Sequence, residues 1–290
     1  MSTNFAIIGG DLRMIKLARM LANDEKKVYI YGLEKAEELE NIKNIIHCIN
    51  FELVTQNTKI IIAPTPFSKN GKDITTQFSD TTITIQELMS ACHNKTLIAG
   101  AIKPEIYELA KNKNVKIIDI MEKEELAILN AISTAEGAIK IAIENTDKIL
   151  HGSNILILGF GRIAKVLAKK LEGLSAKVTC AARKKEDLAW IEAYGYNKTN
   201  INNLGENLSK YDIIMNTVPH IILTKDKLQY IKKECQIIEL ASSPGGVDKI
   251  VAEENGIKVI PALALPGKVA PVTSAKIIKD VVYDILKERS

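Results

Sequence analysis

Asn154-Ile155-Leu156-Ile157-Leu158-Gly159-Phe160-Gly161-Arg162-Ile163-Ala164 is the stretch on which the fold turns. The apolar run Asn154 to Leu158 reads as a buried strand, and the pattern from Arg162 to Leu171 reads as a helix. A strand, a tight glycine turn and a helix N-terminus together make a pyrophosphate cradle. Gly159 permits the turn, Gly161 lets the backbone approach phosphate, and Ala164 lets helix and strand pack closely. The first helical amides then face the anion. The glycine pattern alone is a weak signal, and an ordinary strand-to-helix turn is the plain alternative. Its position between a strand and a helix marks it as a dinucleotide site that includes Arg162 and Ile163.

The next strand bears on which dinucleotide. Ala176 to Ala182 reads as that strand and ends at Arg183-Lys184-Lys185. An NAD site usually places Asp or Glu here to hold the ribose hydroxyls. No acid occurs until Glu186. Arg183 can instead stack on adenine and pair with a 2′-phosphate, and Lys184 adds a second positive charge. The expectation is NADP, against the alternative of a solvated basic loop.

Working outward, the first half also alternates strand and helix. Strands are expected at Asn4–Ile8, Lys27–Tyr31, Lys59–Ala63, Thr96–Ala99 and Val115–Ile120, with helices ending near Ala22 and at 85–91 and 104–111. Such alternation implies a parallel sheet covered on both faces. Gly9-Gly10-Asp11 resembles a second glycine fingerprint, but Leu12-Arg13-Met14 supplies no third small residue. The expected architecture is α/β: two Rossmann-like domains with parallel sheets, joined by a long helix. Residues 1–130 would form the substrate domain and 131–271 the NADP domain. The terminal helix, about 272–290, carries Ile277, Ile278, Val281, Val282 and Ile285 on one stripe and should pack back on the first domain. The linking segment reads as two helical stretches, 122–131 and 135–150, with Thr134 capping the second. Strands at 211–216, 236–240 and 258–260 complete the second sheet. Residues 65 to 82 are polar and aperiodic, either a lid or contact loop or plain disorder.

Composition narrows the class. The 290 residues are 46% hydrophobic and only 5% aromatic, so the cores are aliphatic. A formal charge of +4 with dispersed basic residues argues against nucleic acid. Cys48, Cys92, Cys180 and Cys235 form no CxxC pair and suggest no metal site. They read as buried, reduced thiols of a cytoplasmic protein. The first residues lack the pattern of a signal peptide, and no apolar run is expected to span a membrane.

Several segments are more distinctive than the glycine turn: Gly9-Gly10-Asp11-Leu12-Arg13, Thr134-Ala135-Glu136-Gly137, His151-Gly152-Ser153 and Asn216-Thr217-Val218-Pro219. Two more are Ala241-Ser242-Ser243-Pro244-Gly245-Gly246 and Leu265-Pro266-Gly267-Lys268-Val269-Ala270-Pro271-Val272-Thr273. With them the chain resembles, nearly end to end, the family of dipicolinate synthase A subunits of spore-forming bacteria. The resemblance implies a fold like that of alanine dehydrogenase and the D-2-hydroxyacid dehydrogenases. It implies NADP-linked oxidation of a dihydrodipicolinate to pyridine-2,6-dicarboxylate during sporulation. It also implies a heteromeric complex with a flavoprotein-like B subunit; a homo-oligomer is a further possibility. Related dehydrogenases pass the segment of Thr217, Val218 and Pro219 beside the nicotinamide ribose.

A dicarboxylate needs cations and backbone amides. Arg13 follows the first glycine turn at a carboxyl sheet edge, Lys103 ends another strand of that half, and Lys268 lies in the other domain. Each is otherwise a solvated surface charge. Ser133 and Thr134, at an expected helix start, and Thr273, at the start of the last helix, are candidate substrate contacts or simple caps. His220 and Asp11 are candidate proton acceptors. The alternatives are a D-2-hydroxyacid or alanine-type dehydrogenase and a non-catalytic nucleotide-binding subunit. Against the first, residues 241–243 lack the Arg, and residues 265–273 the His, that the hydroxyacid enzymes use.

Overall fold

The structure, a computed structural model, describes residues 3–288. It has two compact units. One runs through Ala127 and resumes at Ala270; the other covers Ile128–Val269.

The first unit is built on six strands, β1 Phe5–Ile8, β2 Val28–Tyr31, β3 Ile45–His47, β4 Ile60–Ile62, β5 Thr96–Ala99 and β6 Lys116–Asp119, in the order β3-β2-β1-β4-β5-β6. All pairings are parallel. Central strands of a sheet covered on both faces must be apolar throughout, and β1 (Phe-Ala-Ile-Ile) is entirely buried. Helices α1 Leu12–Asn23, α2 Phe51–Gln56, α3 Ile85–Ala91 and α4 Pro104–Asn112 make the crossovers. The chain then enters α5 Glu124–Asn145, which leads into the second unit.

The second sheet consists of β7 Asn154–Leu158, β8 Lys177–Ala182, β9 Asn197–Asn200, β10 Ile213–Asn216, β11 Gln236–Glu239 and β12 Lys258–Pro261. Its order, β12-β11-β10-β7-β8-β9, is the same path read from the other edge. Helices α6 Arg162–Gly173, α7 Lys185–Ala193, α8 Lys225–Leu228, α9 Lys249–Glu254 and α10 Leu265–Val269 belong to this unit, and α11 Pro271–Lys287 returns to the first. The apolar stripe of α11, from Ile277 to Ile285, shares one core with Met14, Ile15, Leu17, Ala18 and Leu21 of α1. Lys279 and Tyr283 of α11 both donate to the Asp24 carboxylate at the end of α1, at 2.8 and 2.7 Å.

Three expectations need correction. The linking segment is one helix. The Thr134 hydroxyl donates back to the Asn130 carbonyl at 2.9 Å instead of capping a new helix, a bond that a mid-helix threonine makes readily. Ser133 and Thr134 therefore lie inside α5, with Ser133 buried. The fused helix is also, by length and composition alone, apolar enough to cross a membrane, the one such helix among the described residues. Its Ala135, Ala138 and Ala142 are packed in the core of the second unit. Finally, α11 starts at Pro271 after the N-cap Ala270, which has no side-chain capping bond. Thr273 is thus an exposed residue of the first turn, not a cap.

Residues 65–82 form a loop pinned by Phe67 and Ile74, both buried, with Ile83 buried just beyond. It bridges Gly10 through Thr76, and Ser68 pairs with Ile74. The sequence signal for β3 and β9 was absent for a simple reason: an edge strand of three residues and a strand reading Asn-Lys-Thr-Asn carry no periodic apolar pattern.

Candidate functional site: a glycine-turn cavity

In the second unit, a cavity of about 630 Å³ opens at the carboxyl ends of β7, β8 and β10. Ligands of open α/β sheets bind at this edge. The turn after β7 forms one wall through Gly159, Gly161, Arg162 and Ile163. Gly159 has φ +98°, and a Cβ there would lie 2.5 Å from the Thr217 hydroxyl oxygen. Gly161 is the N-cap of α6, with no side-chain cap and nothing within 4 Å of where a Cβ would stand. The helix start therefore meets open space. Ala164, completely buried, lets α6 sit close to β7.

Arg183 and Lys184, both exposed, line the cavity just past β8. Lys184 is the N-cap of α7, which places Asp187 in the first turn of that helix, also on the cavity wall. Thr217, Val218, Pro219 and His220 form the wall beyond β10. The nine residues expected around a cofactor thus share one cavity. Their geometry fits a dinucleotide: amides at a helix N-terminus meet open space, and two cations stand one strand over.

Two buried residues outside the expected site residues, Glu239 and Asn216, organise this edge. Glu239, at the end of β11, is 3% exposed. Its Oε1 accepts from Asn216 Nδ2 (2.7 Å) and the Ala241 amide (3.0 Å), and its Oε2 accepts from the Gly246 amide (2.8 Å). Fully buried Asn216 donates to the Val218 carbonyl (2.9 Å) and accepts from the Val218 amide (3.1 Å). The Thr217 hydroxyl donates to the Leu158 carbonyl at 2.7 Å. One carboxylate therefore ties the 241–246 loop to the wall that carries Val218 and Pro219. The signal was present as two distinctive segments, but only strand pairing brings them to the same residue.

In the first unit, Arg13 is 6% exposed rather than solvated. Its Nη2 and Nε hold the Asp11 carboxylate at 2.7 and 3.0 Å, and Nη2 also donates to the Thr65 carbonyl. Asp11 caps α1 by accepting from the Arg13 amide at 3.0 Å. The candidate base is thereby a cap and the partner of a buried guanidinium. The Thr65 hydroxyl, buried beside this pair, has no hydrogen-bond partner among the described residues. Lys103 is the exposed N-cap of α4 and lies against Gly71 of the 65–82 loop. Lys268 is exposed on α10 of the second unit.

The four cysteines are free and buried. Burial pushes the thiols of Cys92, Cys180 and Cys235 up to about 12, so none supplies a thiolate nucleophile. Among the described residues, no three of His, Cys, Asp and Glu come together as a metal site.

Residues 4–121 match the family model for the N-terminal domain of the dipicolinate synthase A subunit. Residues 131–247 match the NAD-binding domain of D-isomer specific 2-hydroxyacid dehydrogenases. The second unit thus carries a dehydrogenase-type domain for a nicotinamide cofactor. The dipicolinate synthase A subunit of Bacillus subtilis is 31% identical over 285 residues, 98% of this chain and 95% of that protein. The crystal structure of the Bacillus halodurans A subunit superposes with a TM-score of 0.88 at 31% identity, covering 98% of this chain and 97% of that one. A transhydrogenase from Sinorhizobium meliloti, at 12% identity and TM-score 0.72 over 99% of this chain and 94% of that one, shares the fold alone.

Proposed function

The chain belongs to the family of dipicolinate synthase A subunits, and from that premise we propose that it is the NADP-dependent dehydrogenase component that forms pyridine-2,6-dicarboxylate from a dihydrodipicolinate in sporulating cells. The observation that carries this reading is the open glycine turn at Gly161 sharing a cavity with Arg183 and Lys184. The amides at the start of α6 would hold the pyrophosphate, and Arg183 and Lys184 the 2′-phosphate. Thr217, Val218 and Pro219 would border the nicotinamide ribose, held there by Asn216 and Glu239. Bound NADP would supply the hydride acceptor. The dihydropyridine ring gives up a hydride and a proton to become aromatic, so the protein's task is orientation and one modest base. Arg13, pinned by Asp11, offers a carboxylate of the substrate a preorganised guanidinium. The partner is a flavoprotein-like B subunit, and the four buried free thiols fit a cytoplasmic, reducing setting.

The test is dipicolinate formation. A dihydrodipicolinate is generated in situ from hydroxytetrahydrodipicolinate, which loses water to reach it, with this protein and NADP, with and without the B subunit, and the pyridine dicarboxylate is followed by absorbance. Product that requires this chain is the expected result. Reduction of pyruvate or glyoxylate with NADPH at ordinary rates, and no dipicolinate, would return the hydroxyacid reading.

One observation favours NAD as a second reading: Asp187 lines the cavity close to Arg183 and could take ribose hydroxyls. Arg183→Ala separates the two. On the NADP reading it weakens NADPH about 10-fold or more and NADH less than about 2-fold, the scale of one lost charge-assisted phosphate contact. Equal losses measured by titration would remove the 2′-phosphate assignment.

A further inference from the structure

The face of the second sheet opposite α6 is apolar under Leu156, Leu158, Ala181 and Ile214. Toward the amino ends of β8 and β9 it turns polar. The crossover from β9 to β10 is two short 3-10 turns, Ile201–Asn203 and Gly205–Lys210, instead of a helix long enough to cover the sheet. Beneath them a second cavity of about 630 Å³ is left. Thr179 of β8, 7% exposed, and Tyr211, 2% exposed, line it. Neither hydroxyl donates or accepts a side-chain hydrogen bond among the described residues, and neither oxygen is sealed from the cavity. Both hydroxyls are therefore open to the cavity, free to bond a polar occupant in place of water.

The charges around it choose the sign. Lys177, Lys198 and Lys210 line the cavity, and the one carboxylate among its lining residues, Glu192, is already paired with Lys198. Lys210 has its Nζ 5.1 Å from the Tyr211 ring centroid, a cation over an aromatic ring that lines the cavity. Asn154 and Asn197 add amide groups. The volume lies in the range of small-molecule sites, about 300 to 1,000 Å³. This cavity shares no lining residue with the glycine-turn cavity.

We propose that this cavity is a second ligand site, which takes a small polyvalent oxyanion, a compound with two or more phosphate or carboxylate groups, between Lys177, Lys210 and the hydroxyls of Thr179 and Tyr211. Phosphate and carboxylate offer these donors the same chemistry, and the two arms of the test tell them apart.

Inorganic pyrophosphate and citrate are titrated calorimetrically into the Gly161→Asp variant, whose new carboxylate keeps anions off the start of α6. One-to-one binding of at least one probe is expected, weakened about 10-fold by Lys177→Glu or Lys210→Glu, since each reverses a charge at the ligand. Thr179→Val and Tyr211→Phe should each cost about 3-fold or more, one neutral hydrogen bond. The lysines are exposed, so their variants keep the fold even if a buried substitution does not. Tighter pyrophosphate marks a phosphate ligand and tighter citrate a carboxylate one. No heat from either probe at millimolar concentration, or binding that both lysine variants leave unchanged, overturns the proposal.

Discussion

The two units follow one strand path and diverge at its first turn. Gly9 and Gly159 stand at the same place: their amides donate to Tyr31 and Ala181 of the neighbouring strand, both at 2.8 Å. Two positions later the units part. The N-cap of α1 is Asp11, a carboxylate bound to Arg13, whereas the N-cap of α6 is Gly161 with no side chain. The third small residue is Ala164 in one, and Met14 takes its place in the other. Above the first turn lies the protein's own 65–82 loop: Gly10 donates to Thr75 at 2.7 Å, and the Gln77 amide donates back to Gly10 at 3.1 Å. Above Gly161 there is open space. A helix N-terminus attracts anions, and the first unit satisfies its own with Asp11 while the second leaves it for a ligand. The same strand path thus gives one turn closed by the protein's own chain and one left open, a difference that starts at the cap residue.

Exchanging that choice is the sharpest test. Gly161→Asp gives the second unit the cap of the first. The φ of −82° at Gly161 suits any L residue, and its Cβ meets nothing, so the fold should persist within about 1 kcal/mol. NADPH affinity should fall about 100-fold, near 2.7 kcal/mol, because an added carboxylate meets the pyrophosphate at the helix start. Retained affinity in a fluorescence titration would mean that the helix N-terminus does not hold the phosphates.

The reverse side of the comparison is stability. Gly10 has φ +115°, and a Cβ there would lie 2.2 Å from Met14 Cγ, a side chain 1% exposed. Gly10→Ala should destabilise by about 2 kcal/mol through strain and displaced packing, lowering the melting temperature and leaving NADPH affinity unchanged. A loss of NADPH affinity instead would make the first glycine turn part of the cofactor site.

How much of this could be read beforehand follows from the same physics. The aliphatic strands, the glycine turn and the stripe of α11 were legible because burial imposes a period on the sequence. The Asn-Lys-Thr-Asn strand was not, since pairing at a sheet edge needs no apolar residue. Thr134 misled because a threonine hydroxyl serves equally as a cap or as a bond to the preceding turn, and only the backbone decides. Arg13 was legible as a cation, but its burial and its bond to Asp11 are products of the fold. Asp187 is not legible as a cavity residue because an NAD site's acid stands at the strand end, while this cavity reaches the first turn of α7. Glu239 was not legible by itself: its three donors lie in two distinctive segments that only the β10–β11 pairing brings to it.

The amino-terminal edges differ too, with a smaller consequence. The residue before β4 is Lys59; its counterpart before β10 is Asp212. The first edge is tied by neutral carbonyls, with Lys95 donating to Thr58 at 3.0 Å. The second is ionic: Asp212 accepts from Lys232 (2.9 Å), the Asn154 amide (2.9 Å) and Lys148 (3.0 Å). Burial alone would raise its pKa, but these three donors outweigh burial and hold it well below the usual carboxylate range. A carboxylate with a depressed folded pKa stabilises the protein above its unfolded value, about 3.9, and that stability is lost as pH falls toward the folded value. Asp212→Asn should therefore cost about 1 kcal/mol at neutral pH, and the gap to the wild type should narrow as pH drops below about 4. Amide hydrogen exchange should place the acid-labile opening in β7 and β10 before β1 and β4. Parallel pH profiles for variant and wild type would show that Asp212 adds nothing to the difference between the two sheets.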